Sequence, residues 1–527
     1  MNIEEKELLL WTYKTIIDYL EKLDNPQQKI TNAISISDLK TKLNLIIPNN
    51  IEDCGKAFTN FCNSMQLFLD HSVLSGHRHF FNQLYGELQI PALAAEFLST
   101  LNNSSMATYE MTPIATLIEK KLIEKFAEMI WSKDKHKLAA GSVTEADGLL
   151  VLGGSYANMM ALLCARNYLF PKFKEDGFCT IKNQLKVFIS EEAHYSFFRA
   201  ANILGIGHKN VVKVASDENG KMRVDELEKA ILQSITVGDR PFFVAATFGT
   251  TVTGSIDSFN KIYEIANKYG LWFHVDGAFL GPLLINPSRF FSKEQNEDIL
   301  KGIEFADSFS LDAHKLMGVP LTCSAIMLKE GSILRDAISG GEGDYLFHTQ
   351  SPDDFQSDNN NNNNNNNDND NDNDIGKYSL QCGRKIDSLK LWGLWQYFGD
   401  EGIAKRFSKL ISLIEYAEEC IKKNDNLELI VPRQSLILLF RYNNNNTDSC
   451  SIECNVDNLK IQNDINYHIR QKIISEGHFM INYAIWKGKL ALRLVILNQN
   501  TASEDLDKLF QLIISLGKEI SKKAIST

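Results

Sequence analysis

A His314-Lys315 pair ends a stretch, Asp307–Lys315, whose alternating apolar and polar residues are typical of a strand. Lysine is almost never fully buried without a partner, and burial lowers the pKa of its amine. A lysine held at the end of a buried strand is therefore a candidate amine nucleophile for an aldehyde cofactor. Taken alone, so short a motif favours a surface lysine in a loop after the strand. Its interpretation depends on which other polar residues end strands.

Three further polar groups fall where predicted strands end. Gly153–Ser155 lies at a turn from strand to helix, where backbone amides and the helix N-terminus can bind an anion such as phosphate. His194 begins a predicted helix and could stack on an aromatic ring. Asp276 ends the run Trp272–Val275, and a buried carboxylate there needs a positive partner such as a pyridinium nitrogen. Taken singly, the first is also an ordinary tight turn and the second a capping or core histidine.

Together these groups predict a cofactor. In open α/β sheets, ligands bind beyond the carboxyl ends of the strands. Pyridoxal 5′-phosphate (PLP) needs a phosphate site, support for its ring, an acid for its ring nitrogen and a lysine for its aldehyde. Four such elements in one order along a chain are a stronger indication than any single one. We therefore predict PLP as the cofactor and Lys315 as its point of attachment.

Short apolar runs alternate with helical patterns on the way to these residues. The alternation is typical of βα units and predicts an α/β fold with a mainly parallel central sheet flanked by helices. The runs predicted to be strands are Leu149–Leu152, Val187–Ile189, Val211–Val214, Phe242–Ala246 and Trp272–Val275.

Three regions are predicted along the chain. Residues 1–110 form an N-terminal helical segment with substrate loops, residues 111–390 a large cofactor-binding domain, and residues 391–527 a small C-terminal α/β domain. Within the large domain, a mobile loop at 344–376 contains a tract of asparagine and aspartate from 359 to 374. Such a tract cannot bury apolar surface and reads as a disordered, tolerated insertion. A prion-like role in assembly is the alternative.

Composition excludes several functional classes. The chain has 527 residues, is 44% hydrophobic and carries a net charge of −11, with no basic tract that would suggest a nucleic-acid partner. Its nine cysteines lack metal-binding spacing and read as reduced thiols, so no metal site is predicted. The start of the chain has no signal-peptide pattern and no apolar run reaches membrane-spanning length. We therefore expect a cytoplasmic protein with no membrane association.

The sequence resembles the group II PLP-dependent decarboxylases, which have the aspartate-aminotransferase-like (type I) PLP fold. Among these it looks most similar to the glutamate, cysteine sulfinate and acidic-amino-acid decarboxylases. Two departures stand out: Asp312-Ala313 replaces the usual Asn-Pro before His-Lys, and Gly277–Phe279 replaces the usual Ala-Ala-Trp. The matching stretches are Phe80–Leu84, Thr108–Glu110, Gly153–Asn158, Ser190–Ser196, Thr247–Val252, His274–Ala278, Ser308–Lys315, Tyr345–Phe347, Gln381–Trp392 and Arg493–Ile496.

The resemblance implies roles for individual residues. Lys315 would carry the cofactor, Asp276 would keep its ring nitrogen protonated, and His194 would stack on the ring. Tyr345 lies where the family has a mobile-loop tyrosine that returns a proton to the substrate carbon in the partner subunit of a homodimer. The residues expected around the phosphate or near the ring are Gly154, Ser155, Ser310, His314, Thr247 and Ala278.

The resemblance also implies a small acidic amino acid as substrate. Arg493 matches an arginine that pairs with the substrate carboxylate through a planar guanidinium. Gln83, Leu84, Tyr85 and Ser105 match the loops around the substrate's distal acid group. Glutamate decarboxylases carry a small Ser at the Tyr85 position, so the larger tyrosine predicts a shorter pocket. We expect 3-sulfino-L-alanine to be converted to hypotaurine, with L-aspartate to β-alanine as a side or main reaction; glutamate is the alternative if Tyr85 only packs.

Two other classes of protein fit parts of the sequence. An aminotransferase would use the same fold and cofactor, but the Tyr345 loop and Gln381–Arg384 favour a decarboxylase. The other class is a non-catalytic scaffold that acts through the asparagine tract. In such a protein, Lys315→Ala would leave the function unchanged.

Overall fold

The computed structural model describes residues 2–32, 34–42, 47, 49, 54–131, 146–291, 299–340, 346–347, 373–444 and 452–525. Two compact units divide the chain. The terminal unit comprises Met1–Glu87 and Lys409–Thr527, and the central unit comprises Leu88–Ser408. The three-region division at residues 110 and 390 stays a prediction. Tyr345 and the asparagine tract at 359–367 lie outside the described residues.

Strands and helices are numbered here in chain order. The strands are β1 (Phe80–Phe81), β2 (Asp147–Val151), β3 (Leu185–Ser190), β4 (Val211–Val214), β5 (Arg240–Thr247), β6 (Trp272–Asp276), β7 (Ser308–Asp312), β8 (Ser324–Leu328), β9 (Leu427–Leu429), β10 (Ile437–Tyr442), β11 (Met480–Trp486) and β12 (Lys489–Val495). The helices are α1 (Ile3–Asp24), α2 (Ile36–Lys42), α3 (Cys54–His71), α4 (Ile90–Asn102), α5 (Pro113–Trp131), α6 (Gly154–Leu169), α7 (Phe173–Asp176), α8 (Ser196–Ile203), α9 (Val224–Thr236), α10 (Phe259–Tyr269), α11 (Pro287–Phe290), α12 (Ile333–Ile338), α13 (Asp387–Lys422), α14 (Ile452–Glu476) and α15 (Ser503–Ile525).

A seven-stranded sheet organises the central unit. Its order is β2-β8-β7-β6-β5-β3-β4. Strands β7, β6, β5, β3 and β4 run parallel to one another, and β8 is antiparallel to both of its neighbours. The mainly parallel sheet predicted from the sequence is confirmed, and each predicted apolar run coincides with one of these strands.

Helix α6 lies close to this sheet because its buried face is built from small residues. Ala157, Ala161 and Ala165 recur every fourth position, which places them on one helical face, and all three are completely buried. They belong to the same apolar cluster as Val187 and Phe243 of the sheet. The close packing fixes the N-terminal turn of α6 beside the ends of the strands.

The terminal unit contains a second, mainly antiparallel sheet of order β1-β11-β12-β10-β9. The start of the N-terminal segment predicted to be helical contains the separate helices α1, α2 and α3. Helix α1 ends at Asp24, two residues before Pro26. A proline cannot occupy the interior of a helix without breaking it, so the helix does not continue. In the same segment, which was predicted to contain helices and substrate loops, Phe80–Phe81 form strand β1, which pairs in parallel with β11.

A buried ion-pair network joins the chain just before β1 to the start of α15 within the terminal unit. Arg78 donates from Nε and Nη2 to Asp505 Oδ2 at 2.8 and 2.6 Å. His79 Nε2 lies 2.9 Å from the other carboxylate oxygen. Burial alone would raise the pKa of Asp505, but hydrogen bonds from His79, the Ala502 amide and Arg78 hold it well below its usual range.

Among the described residues, no helix combines the length and the apolar character needed to cross a bilayer.

Candidate active site

Strand register aligns three of the predicted site residues. Thr247 at the end of β5 pairs with Asp276 at the end of β6, and Asp276 pairs with Ser310 of β7. All three side chains are buried. They form one row across the carboxyl edge of the parallel strands, which is where ligands bind in sheets of this kind.

Lys315 lies three residues after the end of β7 and forms an ion pair with Asp312, the last residue of that strand. Its Nζ lies 2.8 Å from Asp312 Oδ2, and its side chain is 20% exposed while that of Asp312 is 2% exposed. Ser324 Oγ donates to the other oxygen of Asp312 at 2.5 Å. Burial alone would raise the pKa of Asp312, but the charge of Lys315 and these hydrogen bonds hold it below its usual value. The lysine amine is therefore held by a carboxylate, at the position where the family resemblance predicts a neutral asparagine.

The first turn of α6 approaches this ion pair closely. A Cβ atom at Gly154 would lie 2.8 Å from Asp312 Oδ2 and 3.2 Å from the Cβ of Ala278, so only glycine fits there without a shift. Ser155 is exposed beside it. His314 is buried, which lowers its pKa, and its Nε2 lies 3.8 Å from Asp312. The structure thus brings together the residues predicted to surround a phosphate.

His194 lies between β3 and α8, close enough to the charged residues of this site for their charges to affect its pKa. Burial is the main reason that the pKa of His194 is lowered, and the charges of Asp276, Lys315 and Asp312 act on it as well. The backbone amide of Ser196 donates to His194 Nδ1 at 3.3 Å. The histidine predicted to stack on a ring is therefore in electrostatic contact with the predicted lysine and acid.

Two buried residues with no predicted role complete the surroundings of Asp276. Asn158 of α6 donates from Nδ2 to Asp276 Oδ2 at 2.8 Å, and its Oδ1 lies 3.0 Å from His274 Nε2. The sequence carried a signal for His274, because side chains two apart on a strand share a face and His274 is two residues before Asp276. Asn158 lies one helical turn beyond Gly154, which was also visible in the sequence.

The residues predicted to bind the substrate belong to both units. In the terminal unit, Arg493 of β12 is buried, which lowers its pKa to about 10, and its Nη2 donates to the carbonyl oxygen of Asn82 at 2.8 Å. This contact brings Arg493 to the segment that contains Gln83, Leu84 and Tyr85. Leu84 is buried, and the ring of Tyr85 lies 6.4 Å from that of Phe80.

Ser105 belongs to the central unit and is held by backbone contacts. Its Oγ donates to the carbonyl oxygen of Cys382 at 2.9 Å and accepts from the amide of Arg384 at 3.1 Å. Arg384 in turn forms a buried ion pair with Glu119 at 2.6 Å. The hydroxyl of Ser105 is thus tied to the segment at 382–384 rather than left to rotate.

These donors fit PLP. Lys315 supplies an amine, Asp276 a buried acid, and the first turn of α6 a cradle of backbone amides. Thr247 Oγ1 is buried and has no hydrogen-bond partner among the described side chains and backbone, so it can serve a bound polar group. Asp312 is the one group here that does not suit a phosphate. Fold and site together define an enzyme of the type I PLP class.

The chain belongs to the pyridoxal-dependent decarboxylase family, whose conserved domain matches residues 38–443. The predicted family, fold, cofactor and reaction class are confirmed: the enzyme is a PLP-dependent carboxy-lyase.

Individual relatives cover most of the chain. Glutamate decarboxylase of Drosophila melanogaster is 34% identical over 448 residues, which are 83% of this chain and 79% of the relative. Cysteine sulfinic acid decarboxylase of Homo sapiens is 30% identical over 526 residues, 97% of this chain and 96% of the relative. The crystal structure of mouse CSAD has a TM-score of 0.83 and 28% sequence identity, with 97% of this chain and 98% of that chain covered.

Proposed function

We propose that this enzyme removes the α-carboxyl group from a short acidic amino acid, with 3-sulfino-L-alanine converted to hypotaurine and CO2 as the preferred reaction. L-Aspartate to β-alanine is the second reaction that we expect. The observation that carries the proposal is the contact of Arg493 with Asn82, because it sets a buried guanidinium beside the segment that contains Tyr85. The 30% identity with human cysteine sulfinic acid decarboxylase over nearly the whole chain supports it.

Glutamate is the second candidate substrate, and two observations favour it. The Drosophila relative, a glutamate decarboxylase, is 34% identical over its matched region. The ring of Tyr85 also lies near that of Phe80, as it would if the tyrosine served mainly for packing. A product of 4-aminobutanoate would then replace hypotaurine.

The cofactor, when bound, supplies a ring that accepts the electron pair left behind as the carboxyl group departs as CO2. Lys315 holds the cofactor by its amine. Asp276 keeps the ring nitrogen protonated, since a buried carboxylate stabilises a positive charge beside it. His194 lies against the ring as a neutral imidazole, in keeping with its lowered pKa.

The remaining cofactor residues orient it. The residues that we assign to the phosphate or to the edge of the ring are Gly154, Ser155, Ser310, His314, Thr247 and Ala278. Thr247 is assigned a hydrogen bond to the cofactor because its buried hydroxyl has no other partner among the described residues.

Substrate recognition and proton return fall to other residues. Arg493 binds the substrate carboxylate through two parallel N–H donors, a geometry that fixes the orientation of the acid. Gln83, Leu84, Tyr85 and Ser105 set the space for the distal acid group. Tyr345 returns a proton to the substrate carbon.

We further propose a homodimer with the sites at the interface, and a cytoplasmic location. Exposed apolar residues on α4 and α5 support the dimer, because contiguous exposed apolar residues commonly mark interfaces. These residues are Phe97, Leu98, Leu101, Ile114 and Leu117.

A substrate profile tests the proposed reaction. Purified enzyme with PLP is assayed for CO2 release from 3-sulfino-L-alanine, L-aspartate and L-glutamate, with Lys315→Ala as the inactive control. We expect the highest kcat/KM for 3-sulfino-L-alanine. A kcat/KM for glutamate well above the other two would overturn the substrate assignment, and product formation without CO2 would indicate an aminotransferase.

A further inference from the structure

A line of buried hydrogen bonds runs through the central unit and ends on the carboxylate of Asp276. Trp272 Nε1 donates to Ser308 Oγ at 2.8 Å, and Ser308 Oγ lies 2.9 Å from His274 Nδ1. His274 Nε2 lies 3.0 Å from Asn158 Oδ1, and Asn158 Nδ2 lies 2.8 Å from Asp276 Oδ2. Each of these side chains is buried.

The pairing of β6 with β7 positions most of the side chains in this line of hydrogen bonds. His274 pairs with Ser308 across β6 and β7, and Asp276 pairs with Ser310 in the same register. Side chains two apart on a strand lie on one face, so His274 and Asp276 project toward the same side of the sheet. Asn158 bridges the two from α6, and Ser310 Oγ donates to Asn158 Oδ1 at 3.0 Å.

The direction of the hydrogen bonds follows from the chemistry of the groups. The indole of Trp272 can only donate, so the line begins there. Burial lowers the pKa of His274 to about 4, so its ring is neutral and carries one proton. If Ser308 donates to Nδ1, the proton is on Nε2 and points at the amide oxygen of Asn158. The amide nitrogen of Asn158 then donates to Asp276, which accepts as a carboxylate.

The reverse direction is chemically worse. It would require a proton on Asp276, directed at the amide oxygen of Asn158. His274 would then carry its proton on Nδ1 and donate to Ser308, whose oxygen already accepts from Trp272. The hydroxyl hydrogen of Ser308 would be left without an acceptor in this line, and an unsatisfied buried donor costs free energy.

We infer that Asn158 and His274 are positioning residues that hold the carboxylate of Asp276 in place and aim it at the ring nitrogen of the cofactor. The amide of Ala278 donates to Asp276 Oδ1 at 3.1 Å and completes the arrangement on the other oxygen. This inference rests on the role proposed for Asp276. It extends that role, because the acid depends on a fixed set of donors behind it.

The test compares two forms of the cofactor. Pyridoxal 5′-phosphate has the ring nitrogen, and its 1-deaza analogue has a carbon in that place. Full-length enzyme freed of cofactor is titrated with each form. The dissociation constant of the analogue divided by that of pyridoxal 5′-phosphate is the ratio that reports the nitrogen contact alone. A general loss of packing weakens both forms and leaves the ratio unchanged.

Two variants interrupt the line at different points. Asn158→Asp keeps the shape but replaces the donor by an oxygen, so two carboxyl groups face each other and must share a proton. His274→Phe removes the ring donor to Asn158. We expect each to reduce the preference for pyridoxal phosphate over the analogue on the order of tenfold, the size expected for loss of a hydrogen bond to a charged group.

The controls separate this inference from the proposed role of Asp276. Ser196→Ala is the matched control, because Ser196 Oγ accepts from the same amide of Asn158 at 3.0 Å but lies off the line; its ratio should equal that of the wild type. Asp276→Asn should lower the ratio. If Asp276→Asn lowers it while Asn158→Asp and His274→Phe do not, the positioning role is wrong. If Asp276→Asn also leaves it unchanged, the proposed role of Asp276 fails instead.

A second measurement needs no stable variant. Nitrogen-15 spectra of the wild-type protein with labelled histidine report which ring nitrogen carries the proton. We expect His274 as the neutral tautomer protonated at Nε2, and a proton on Nδ1 would overturn the inference.

Discussion

Asp312 stands where the resemblance to the decarboxylase family predicts an asparagine. Its carboxylate holds Lys315 at 2.8 Å and also lies against the first turn of α6, where we place the phosphate of the cofactor. A neutral asparagine in this position would not repel the phosphate, whereas a negatively charged carboxylate would. We therefore expect this one side-chain charge to weaken the binding of the cofactor.

We predict that Asp312→Asn binds pyridoxal 5′-phosphate more tightly, by about fivefold, because about 1 kcal/mol is typical of two like charges that are near each other at an effective dielectric well above that of a dry interior. Fluorescence titration of cofactor-free enzyme measures the change. Pyridoxal without its phosphate should bind both forms equally. Asp307→Asn, just before the other end of β7, is the control that should change neither. Weaker binding of the phosphate form by Asp312→Asn would contradict the prediction.

The second prediction at this scale concerns the length of the substrate. Replacing Tyr85 by Ser enlarges the space beside the Arg493 segment, so the kcat/KM for glutamate should rise relative to 3-sulfino-L-alanine by about tenfold, the scale of one methylene in a binding pocket. Parallel assays of the two acids measure the ratio. Tyr85→Phe keeps the ring and should leave the ratio unchanged. An unchanged ratio in Tyr85→Ser would mean that the tyrosine only packs.

The sequence indicates a functional residue when its place in a predicted strand or helix is unusual for its residue type. It does not indicate a residue whose role depends on a contact with a distant part of the chain. Asp276 and Lys315 were candidates from the sequence because each is a charged group at, or just beyond, the end of a buried strand. Asn158 and His274 could not be assigned, because their contact joins positions that are 116 residues apart. Nothing local to Asn158 indicates that its amide meets a carboxylate from another strand.

At the scale of elements, the segment before β1 depends on a carboxylate from the other end of the chain. Asp505, near the start of α15, is bonded by both Arg78 and His79. The pKa of Asp505 is lower in the folded chain than in an unfolded one, so the pair contributes stability above the unfolded value of about 4. That contribution is lost as the pH falls toward the folded pKa.

We predict that Asp505→Asn lowers the free energy of unfolding by about 3 kcal/mol near neutral pH, as expected when one partner of a buried ion pair is removed. The difference from the wild type should shrink as the pH falls below about 4, because the wild-type carboxyl is then protonated in the unfolded chain. Denaturant unfolding at several pH values measures it. Glu504→Gln, an exposed neighbour, should change stability by less than about 0.5 kcal/mol. A pH-independent difference would rule out the charge as the cause.

The elements themselves were predicted to different degrees. The parallel strands of the central unit were predictable because each is a short apolar run between helical patterns. Strand β11 was not predicted, and β1 was read as a loop, because β1 has two residues and is defined by its pairing with β11. Helix α13 is kinked at Gly399, whose φ of 59° is not helical. Glycine adopts this φ without steric cost, and its presence inside the helical pattern was the available signal.

For the whole molecule, we predict a dimer of twice the chain mass of 59.6 kDa in sedimentation or light scattering. Leu98→Glu combined with Leu101→Glu should convert it to a monomer, because Leu101 is 79% exposed on α4 and a charge there cannot be buried without a partner. Leu232→Glu on α9, at a residue that is 48% exposed, should leave the dimer intact. A wild-type monomer at micromolar concentration would contradict the proposal.

The division of proposed roles between the two units has a consequence for how this enzyme can diversify. Thr247, Asp276 and Ser310 lie on adjacent strands that are hydrogen-bonded to one another in one sheet. A shift of any one of them would therefore disturb its neighbours. Tyr85 and Arg493 belong to the other compact unit. Substitutions at these two positions could therefore change which amino acid is bound, while the residues that we propose to break its bond stay as they are.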